Sequence, residues 1–544
     1  MVQITVDQLR GDLPLRYRDR VGAGGFRRFL DDGTWYAAAR QPHAHTETVV
    51  GHTTLATGAY PSRHGMVANT WFDRATGASV SNVEDPRYPL LSVDGEKQTE
   101  PGASPLTILT TTFSDELAVA TAGRAKVFSV SVKDRGAVPL AGHVGKAFWF
   151  SSSNGCFVSS TFYYQHYPPW VKAKCAQRLA DASAGTTWEL ARPRETYVHR
   201  DVTNQYPKGT PAEVNMEMLD SPRFGSFGRT FPHRFAASGL MLYEELKISP
   251  RGDALTLDFA KTLIREEGLG KREVPDYLAI SFSSTDLVAH WFAPASLESE
   301  DNILRLDAAL DDLLTFIDGE VGLRRTLVVI SADHGGSEYP EYLMTLSIGT
   351  GRLSPAEIRR AADEALAARY GPIAGIIAKL SPPYVYLDRK VLAANRLDER
   401  EVERTIATAL QGLTGVSLAL ARADMTAGRD GADDELVRRI RRNQHPDRSG
   451  DVYVVQAPQW QIDEGREPRL LQHGAPWSYD THVPVAFTGW EVPAAFVLRG
   501  IESVDVAATL SALLGTSYPS GGVGTPLLEL AARAAPSARS PHAR

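Results

Sequence analysis

The chain has 544 residues and a formal net charge of −7 at pH 7, with 58 basic and 65 acidic side chains. At about three times the common domain size of roughly 100–200 residues, it can bury a large core and carry insertions. The weak, scattered negative charge provides no basic surface for a nucleic-acid partner. The apolar runs fall short of the ~20 residues that span a membrane, so no membrane segment is expected.

Two short features bear on the compartment. The N-terminal MVQITVDQ lacks the charged and apolar regions of a secretory signal, so an upstream segment, such as a signal peptide, is expected to be missing. Cys156 and Cys175 are the only cysteines, which excludes a cysteine-rich zinc module or a disulfide scaffold. One disulfide between them is left open, because an oxidising compartment favours it and a reducing cytosol disfavours it.

Four apolar, β-rich runs indicate strands that are buried on both faces. They lie at 2–6, 127–132, 277–283 and 326–331. Helical patterns separate these runs, so we predict an α/β fold with a mostly parallel central sheet flanked by helices. A strand near 483 and a helix at 503–515 are expected to complete the core.

The strand-rich segments divide the chain into a core and two insertions. Segment 156–250 is rich in Tyr, Trp, Pro and Arg and weakly periodic, so we predict a loop-rich insertion that covers the site. Segment 346–450 is predicted to be a small α/β lobe, with helices capped near Ser354 and Asp398 and a Glu three residues after each cap. The remaining predicted segments are core parts at 1–155, 251–345 and 451–530 and a disordered tail at 531–544.

Polar side chains follow the ends of the four predicted strands. They are Asp7, then Lys133 to Arg135, then Asp286 and His290, then Asp333 and His334. Because the carboxyl ends of parallel strands converge on one edge of an open sheet, these side chains are expected to lie together. Taken singly, an Asp after a strand is usually a helix cap, and Asp286 and His290 only share a helical face. The adjacent Asp333 and His334, followed by two glycines that allow close backbone approach, are more specific.

Carboxylate oxygens and imidazole nitrogens together suit Zn²⁺, and this set is larger than one tetrahedral site needs. We therefore predict two metal ions, a known device for clamping the attacking and leaving oxygens of a phosphoryl displacement. The missing imidazole is assigned to His482 in the stretch YDTHVP. His143 and His473 are its rivals and are interpreted as turn residues or as groups that support the ligands.

Residues 46–65 read TETVVGHTTLATGAYPSRHG, and their five threonines suit a polar helix start as well as a functional site. Family resemblance separates these alternatives. The motifs that carry it, in chain order, are VDQLRGD, TVVGHTTLATGAYPSRHGMVAN, SVKDRGAVPLAGH, STDLVAH, ADHGG and YDTHVP. Jointly they resemble the alkaline phosphatase superfamily, in its threonine-nucleophile phosphomonoesterase branch related to type I phosphodiesterases and nucleotide pyrophosphatases. The resemblance spans residues 2 to about 530.

This resemblance implies a zinc-dependent alkaline phosphatase that hydrolyses small-molecule phosphate monoesters of broad range through a phosphothreonine intermediate. Two Zn²⁺ ions, an alkaline phosphatase-like sheet and a periplasmic or secreted location are implied with it, whereas the oligomeric state is left open. The implied ligands are Asp286, His290 and His482 for one ion and Asp7, Asp333, His334 and Thr48 for the other. Thr48 matches the family's nucleophile. Asn69, Lys133 and Arg135 match groups that bind the phosphate oxygens.

Lys133 and Arg135 favour monoesters over diesters. A monoester presents more unsubstituted, charged oxygens, and only these can fully use a lysine charge and an arginine fork. The alternatives are a phosphodiesterase or nucleotide pyrophosphatase with the same metals, or an inactive metal-binding homologue. A sulfatase would need a modified Cys or Ser in a dedicated motif, and neither cysteine lies in one.

Overall fold

The computed structural model describes residues 1–93, 101–221, 227–426, 434–463 and 472–531 of the chain. Its strands are β1 (Val2–Val6), β2 (Thr34–Arg40), β3 (Thr70–Asp73), β4 (Ala78–Ser81), β5 (Glu84–Asp85), β6 (Gly102–Ala103), β7 (Val127–Ser131), β8 (Lys146–Ser151), β9 (Cys156–Val158), β10 (Thr187–Trp188), β11 (His233–Arg234), β12 (Tyr277–Phe282), β13 (Leu327–Ser331), β14 (Arg352–Leu353), β15 (Ile377–Ser381), β16 (Tyr384–Leu387), β17 (Val416–Ala421), β18 (Val452–Gln456), β19 (Gln461–Ile462), β20 (Val485–Gly489) and β21 (Ala495–Glu502).

The helices connect these strands and cover the sheet. They are α1 (Leu13–Arg16), α2 (Phe26–Asp31), α3 (Thr48–Thr57), α4 (Pro61–His64), α5 (Phe113–Ala120), α6 (Asp134–Ala141), α7 (Pro169–Ala176), α8 (Pro211–Leu219), α9 (Gly239–Lys247), α10 (Pro250–Glu267), α11 (Ser284–Phe292), α12 (Leu297–Glu320), α13 (Pro340–Thr345), α14 (Pro355–Tyr370), α15 (Arg389–Ala394), α16 (Glu399–Gln411), α17 (Arg422–Thr426), α18 (Glu435–Asn443), α19 (Ser478–Thr481), α20 (Val504–Leu514) and α21 (Leu528–Ala531).

The main sheet has the strand order β21-β2-β20-β13-β1-β12-β7-β8-β9. Its five central strands, from β13 to β8, pair in parallel. The strand β20 runs antiparallel to both of its neighbours, and β9 runs antiparallel to β8. The predicted α/β class and mostly parallel sheet are therefore confirmed, and the four apolar runs form β1, β7, β12 and β13.

Both faces of the main sheet are covered by helices, which explains why its central strands are apolar throughout. Successive side chains of a strand point to opposite faces. Ile330 of β13 packs in the cluster that includes α10 and α12. Its neighbour Val329 packs in the cluster that includes Leu55 of α3, Phe113 of α5 and Leu510 of α20. The predicted helix at 503–515 is α20.

The insertion predicted at 156–250 forms a layer on α12, and none of its described residues lines the cavity that contains Thr48. Trp188 Nε1 and Tyr197 Oη donate to the Asp301 carboxylate of α12 at 2.7 and 2.6 Å. The segment contains α7 to α9 and the short pair β10–β11, so it is less loop-dominated than its sequence suggests. Cys156 and Cys175 form a disulfide, which settles the alternative that the sequence left open.

The second insertion, predicted to span 346–450, contains helices and an antiparallel sheet that extends past residue 450. Its antiparallel sheet has the order β15-β16-β18-β17, and β18 lies in the segment assigned to the core. The sheet packs on α14 and α16. Ser354 forms the predicted capping box with Glu357, and Asp398 caps α16 by accepting from the Glu401 amide. Because β18 pairs with both β16 and β17, the sheet of this lobe would be divided without it.

The predicted tail at 531–544 lies outside the described residues, apart from Ala531 at the end of α21. Among the described helices, none combines the length and apolar character required to cross a bilayer.

Helix α3 lies against the end of β13, and a glycine makes this approach possible. A Cβ atom built on Gly51 would lie 2.1 Å from the Asp333 carbonyl oxygen. No side chain fits at such a distance, so the sequence TVVGH needs its glycine to bring the start of α3 beside Asp333.

We expect Gly51→Ala to lower the free energy of unfolding by about 1–3 kcal/mol, since the added methyl must push α3 away from β13. A denaturant titration measures this change. Gly319→Ala is the matched control, because a Cβ there meets nothing within 4 Å and alanine favours a helix. If the two variants were equally stable, the proposed close contact of α3 with Asp333 would be incorrect.

Candidate metal-binding active site

The predicted strand-end residues do meet at one edge of the main sheet. Asp7 directly follows β1, and Asp333 and His334 follow β13, the parallel neighbour of β1. Asp286 and His290 lie on α11, which follows β12 on the other side of β1. The parallel pairing thus places three carboxylates side by side.

The first group of candidate ligands, which we call the Asp7 cluster, consists of Asp7, Asp333 and His334. His334 Nε2 lies 3.6 Å from Asp7 Oδ1 and 3.5 Å from Asp333 Oδ2. All three side chains are fully buried. The His334 Nδ1 group pairs with the Gly335 carbonyl at 2.9 Å. With Nδ1–H as the donor, Nε2 keeps its lone pair for a metal ion.

The second group, the Asp286 cluster, consists of Asp286, His290 and His473. Asp286 Oδ1 lies 3.2 Å from His290 Nε2, one helical turn away, and 3.5 Å from His473 Nε2. His473 Nδ1 pairs with the Thr46 carbonyl at 2.7 Å, which again leaves Nε2 directed at the cluster. The His334 and His473 rings stack with centroids 3.8 Å apart, so the two clusters adjoin.

The structure corrects the assignment of His482. Its Nε2 pairs with the Ala37 carbonyl at 2.9 Å, and the ring packs so tightly on Gly11 that a Cβ there would lie 2.7 Å from Nε2. His482 therefore stays in the sheet edge, where it forms a bridge with Arg40. His473 instead takes the position that the sequence predicts for His482, beside Asp286 and His290. From sequence, His473 is interpreted only as a turn residue or a group that supports the ligands. His143, the other rival, pairs with Asp115 at 2.7 Å instead.

The motif YDTHVP still contributes to the site, through its aspartate. Asp480 Oδ2 accepts from the amides of Gly474 and Ala475 at 3.0 and 2.8 Å. The Thr46 hydroxyl donates to the Ala475 carbonyl. These bonds hold the loop that carries His473, so Asp480 is a positioning residue that the sequence analysis missed.

The donor atoms of both clusters fit metal ions. Five buried donor atoms of the clusters have no hydrogen-bond partner among the described residues: Asp7 Oδ1 and Oδ2, Asp286 Oδ1, Asp333 Oδ2 and His334 Nε2. Of these, Asp7 Oδ2 is balanced by the Lys133 ammonium. Ligands about 2.1 Å from a tetrahedral ion are themselves roughly 3.4 Å apart. The nitrogen–oxygen distances of 3.2–3.6 Å in the clusters match this spacing. Burying such atoms without a partner is costly, which favours a bound cation.

Lys133 lies between the two clusters. Its Nζ is 2.7 Å from Asp7 Oδ2 and 2.5 Å from Asp286 Oδ2, and the side chain is almost fully buried. Its ammonium group therefore balances one carboxylate of each cluster. It does not line the cavity described below, whereas Arg135, two residues later, does.

Burial and neighbouring charges shift the pKa values of the site residues in different directions. Burial raises the pKa of Asp7 to about 7, and the Asp333 carboxylate adds to this increase. Burial would also raise the pKa of Asp333, but the charges of His334 and His52 outweigh it and lower that pKa. Burial and the charge of His334 lower the pKa of His473 well below its usual value, so this ring is neutral and suited to bind a cation.

Thr48 is the first residue of α3 and lines a cavity of about 360 Å³. Asn69, Arg135, His290 and His473 line the same cavity. A helix N-terminus presents free amide groups and a positive dipole end, which favour an anion beside Thr48. The Asn69 side-chain oxygen accepts from the Val49 amide at 3.2 Å, so its NH₂ group remains as a donor.

Two further side chains that the sequence analysis missed support this arrangement. Glu47, the N-cap of α3, accepts from the Asn69 amide and lies 3.1 Å from His45 Nε2. His52, on the second turn of α3, lies 3.1 Å from Asp333 Oδ2 through Nδ1. No separate motif marks either residue, although both lie in the stretch 46–65.

A third acidic group lies in the lobe and is explained by ion pairs. It consists of Glu399, Glu403 and Asp451. Three arginine side chains lie within 3.7 Å of Asp451 Oδ1, and they belong to Arg74, Arg389 and Arg422. Because these cations balance the buried carboxylate, we interpret the group as part of the lobe's packing.

The two carboxylate–imidazole clusters adjoin each other at one edge of a mostly parallel sheet, beside the N-terminus of α3. This arrangement defines a candidate site for two metal ions. The chain belongs to the type I phosphodiesterase / nucleotide pyrophosphatase family, whose model matches residues 1–490. This family relationship agrees with the resemblance seen in the motifs.

Individual relatives extend over nearly the whole chain. It is 33% identical over 534 residues to alkaline phosphatase PhoV of Synechococcus elongatus, covering 97% of this chain and 92% of that protein. It is 31% identical over 535 residues to a protein of Myroides odoratus named calcium-transporting ATPase, covering 97% and 94%. The crystal structure of wild-type alkaline phosphatase PafA matches with a TM-score of 0.86 and 30% identity, over 97% of this chain and 98% of that one.

We expect metal binding to weaken as the pH falls from 8 to 6. A metal ion requires ionised Asp7, whose pKa of about 7 leaves roughly nine tenths of it ionised at pH 8 and one tenth at pH 6. The affinity of the metal-free protein for Zn²⁺, measured by calorimetry, should therefore fall at least about tenfold. Proton release on binding should increase over the same range. Equal affinity at both pH values would exclude Asp7 as a ligand.

Proposed function

We propose that this protein is a metal-dependent phosphatase that hydrolyses phosphate monoesters through a phosphothreonine intermediate. The observation that carries the proposal is the Thr48 side chain at the N-terminus of α3, in a cavity that also contains His290 and His473 of the Asp286 cluster. Two relatives that match over nearly their full length are named alkaline phosphatases, which supports the same activity.

The residues of the chain divide the work of binding and attack. Thr48 makes no side-chain hydrogen bond to another described residue, so its hydroxyl is free to act as the nucleophile. The Asn69 NH₂ group and the Arg135 guanidinium face the same cavity and would bind phosphoryl oxygens. Attack by Thr48 forms a bond to phosphorus while the ester bond to the leaving alcohol breaks, and water later cleaves the phosphothreonine.

The ions that best suit the site are Zn²⁺, with one in each cluster. We propose Asp7, Asp333, His334 and Thr48 as ligands of one ion and Asp286, His290 and His473 as ligands of the other. Bound zinc would lower the pKa of hydroxyl groups and neutralise negative charge on phosphoryl oxygens. His52 and Asp480 hold ligands of the two clusters in place, and Lys133 balances their remaining charge.

Arg135 supports a monoester substrate. Its planar fork suits two unsubstituted oxygens of one phosphate, and a diester offers fewer of them. The family's description includes phosphodiesterases, so a diesterase with the same metals is the alternative. ATP also ends in a phosphoryl group with three unsubstituted oxygens and belongs among the test substrates, given the name of the Myroides odoratus relative.

The disulfide supports a location outside the cytosol. A bond between Cys156 and Cys175 persists in an oxidising compartment, such as the periplasm or the medium, and is rare in a reducing cytosol. A broad substrate range also follows if most contacts are made to the phosphoryl group.

We expect His473→Ala to reduce the zinc content of the purified protein from two ions to about one per chain, because the Asp286 cluster then keeps only two ligands. Elemental analysis of the dialysed protein measures this. His482→Gln is the matched control and should keep both ions, since the imidazole bonds to a backbone carbonyl. A loss of zinc in the control alone would restore the original assignment of His482.

We expect Thr48→Ala to lower kcat on 4-nitrophenyl phosphate by about a thousandfold or more while zinc content and melting temperature stay close to those of the unaltered protein. Thr53→Ala, in the same helix, tests whether loss of any buried hydroxyl has this effect. Comparable activity in Thr48→Ala and the unaltered protein would refute the mechanism. A strong preference of the unaltered protein for bis(4-nitrophenyl) phosphate would favour the diesterase.

A further inference from the structure

The cavity that Thr48 lines has a second wall, which the lobe and the hairpin β3–β4 form. The lobe supplies Pro355, Lys379, Leu380, Ser381 and Pro382 to it. The hairpin β3–β4 and its flanks supply Thr70, Ser81 and Asn82. A leaving group extends from phosphorus on the side away from the attacking Thr48, so this outer wall is where its remaining atoms would lie.

The described residues of this wall contain no aromatic side chain, and five of the eight are polar or charged. Hydroxyl, amide and ammonium groups instead surround the space into which the alcohol part of the substrate would project. Such a lining binds hydrophilic leaving groups more tightly than apolar ones. An apolar group would displace water from these polar groups without replacing their hydrogen bonds.

Lys379 is the one wall residue that carries a charge, among those that the structure describes. It lies on β15, where it pairs with Tyr386 of β16. The register of this pair shifts between Ile377 and Lys379. An irregularity of this kind changes the direction of the neighbouring side chains. Ile377 is buried in the lobe, whereas Lys379 lines the cavity.

No ion pair or hydrogen bond among the described residues involves the Lys379 ammonium. The acid that shares the cavity is Glu47, and its carboxylate already accepts from the Asn69 amide and pairs with His45. The second cation of the cavity, Arg135, lies after β7 on the side of the phosphoryl site. A half-buried cation without a counter-charge attracts an anionic group of a ligand.

We propose that Lys379 binds a second oxyanion, on the leaving group, so that the site prefers phosphate monoesters whose alcohol part carries a carboxylate or a further phosphate. This inference rests on the proposed phosphatase function and names the substrate class that the lobe selects. Lys379 acts on binding of the leaving group and takes no part in bond making, so its contribution lies in KM more than in kcat.

A pair of substrates with nearly the same shape tests the proposal. The leaving group of glycerol 3-phosphate is glycerol, a neutral alcohol. The leaving group of 3-phosphoglycerate is glycerate, an alcohol that carries a carboxylate. We expect the unaltered zinc-loaded enzyme to favour 3-phosphoglycerate in kcat/KM. Lys379→Ala should reduce this preference about tenfold, which is the size of a charge-assisted hydrogen bond, chiefly through a higher KM. Lys379→Arg should keep the preference, since it keeps the charge.

Further experiments replace the carboxylate of the leaving group by a phosphate and reverse the charge at residue 379. Glucose 1,6-bisphosphate against glucose 6-phosphate repeats the comparison with a phosphate as the second anion, and a preference in either pair that depends on Lys379 supports the proposal. Lys379→Glu should favour phosphoethanolamine, whose leaving group is a cation, relative to glycerol 3-phosphate. Lys390→Ala is the matched control: Lys390 is an exposed lysine of the same lobe outside the cavity, and its loss should leave every ratio unchanged.

Equal losses on both members of each pair in Lys379→Ala would overturn the role of Lys379 and leave the phosphatase proposal intact. An unaltered, zinc-loaded enzyme that hydrolyses none of these monoesters would overturn the proposed function and this inference together. The same change of ratio in Lys390→Ala would also overturn the inference, because it would show a general effect of the lobe's charge.

Discussion

The site depends on the repulsion among three carboxylates that the sheet buries side by side. Asp7, Asp286 and Asp333 follow three neighbouring parallel strands, and each is at most 1% exposed. Two like charges 4 Å apart repel by about 4 kcal/mol even at an effective dielectric constant of 20. Cations must therefore neutralise them. Lys133 supplies one such charge, and the unpartnered carboxylate oxygens and His334 Nε2 are placed so that metal ions can supply more.

This requirement explains the residues around the clusters. The histidine ligands are held through their Nδ1 atoms by backbone carbonyls of Gly335 and Thr46, which directs each Nε2 inward. Gly51 lets α3 approach the Asp333 backbone, so the helix that begins with Thr48 starts beside the Asp7 cluster. The same fold thus brings together negative side chains for cations and a positive helix end for an anion. A phosphoryl group, which is negative and binds metal ions, is complementary to both.

Much of the fold and most of the site could be predicted from the sequence because they depend on local patterns. The four buried strands are continuous apolar runs, and six of the proposed metal ligands follow those strands or begin α3. The exchange of His482 for His473 was not predictable in this way. Both histidines lie in the same loop region. Only the tertiary structure shows that His482 Nε2 pairs with the Ala37 carbonyl, whereas His473 Nδ1 pairs with the Thr46 carbonyl and leaves Nε2 directed at the cluster.

The sequence predicts that 156–250 covers the site, but none of its described residues lines the cavity, and the reason is physical. The aromatic and arginine content of 156–250 suggested a cover, but these side chains bury themselves on α12, through bonds such as that from Tyr197 to Asp301. The lobe was recognised as a folded unit, yet its role depends on where β15 lies relative to β3, a contact between segments about 300 residues apart. No periodicity or cap encodes such a contact.

The resulting division of the cavity has a consequence for how specificity arises. The sheet edge and α3 fix the phosphoryl group, and their residues are constrained by charge balance, close packing and ligand geometry. The lobe contributes Lys379 from an antiparallel strand with its own hydrophobic core, built around residues such as Val385 and Ile406. A change at Lys379 therefore alters the groups that meet the leaving alcohol without disturbing Asp7, Asp286 or Asp333. Because the lobe has its own hydrophobic core, a substitution there can change the preferred leaving group while the metal ligands and Thr48 keep their positions.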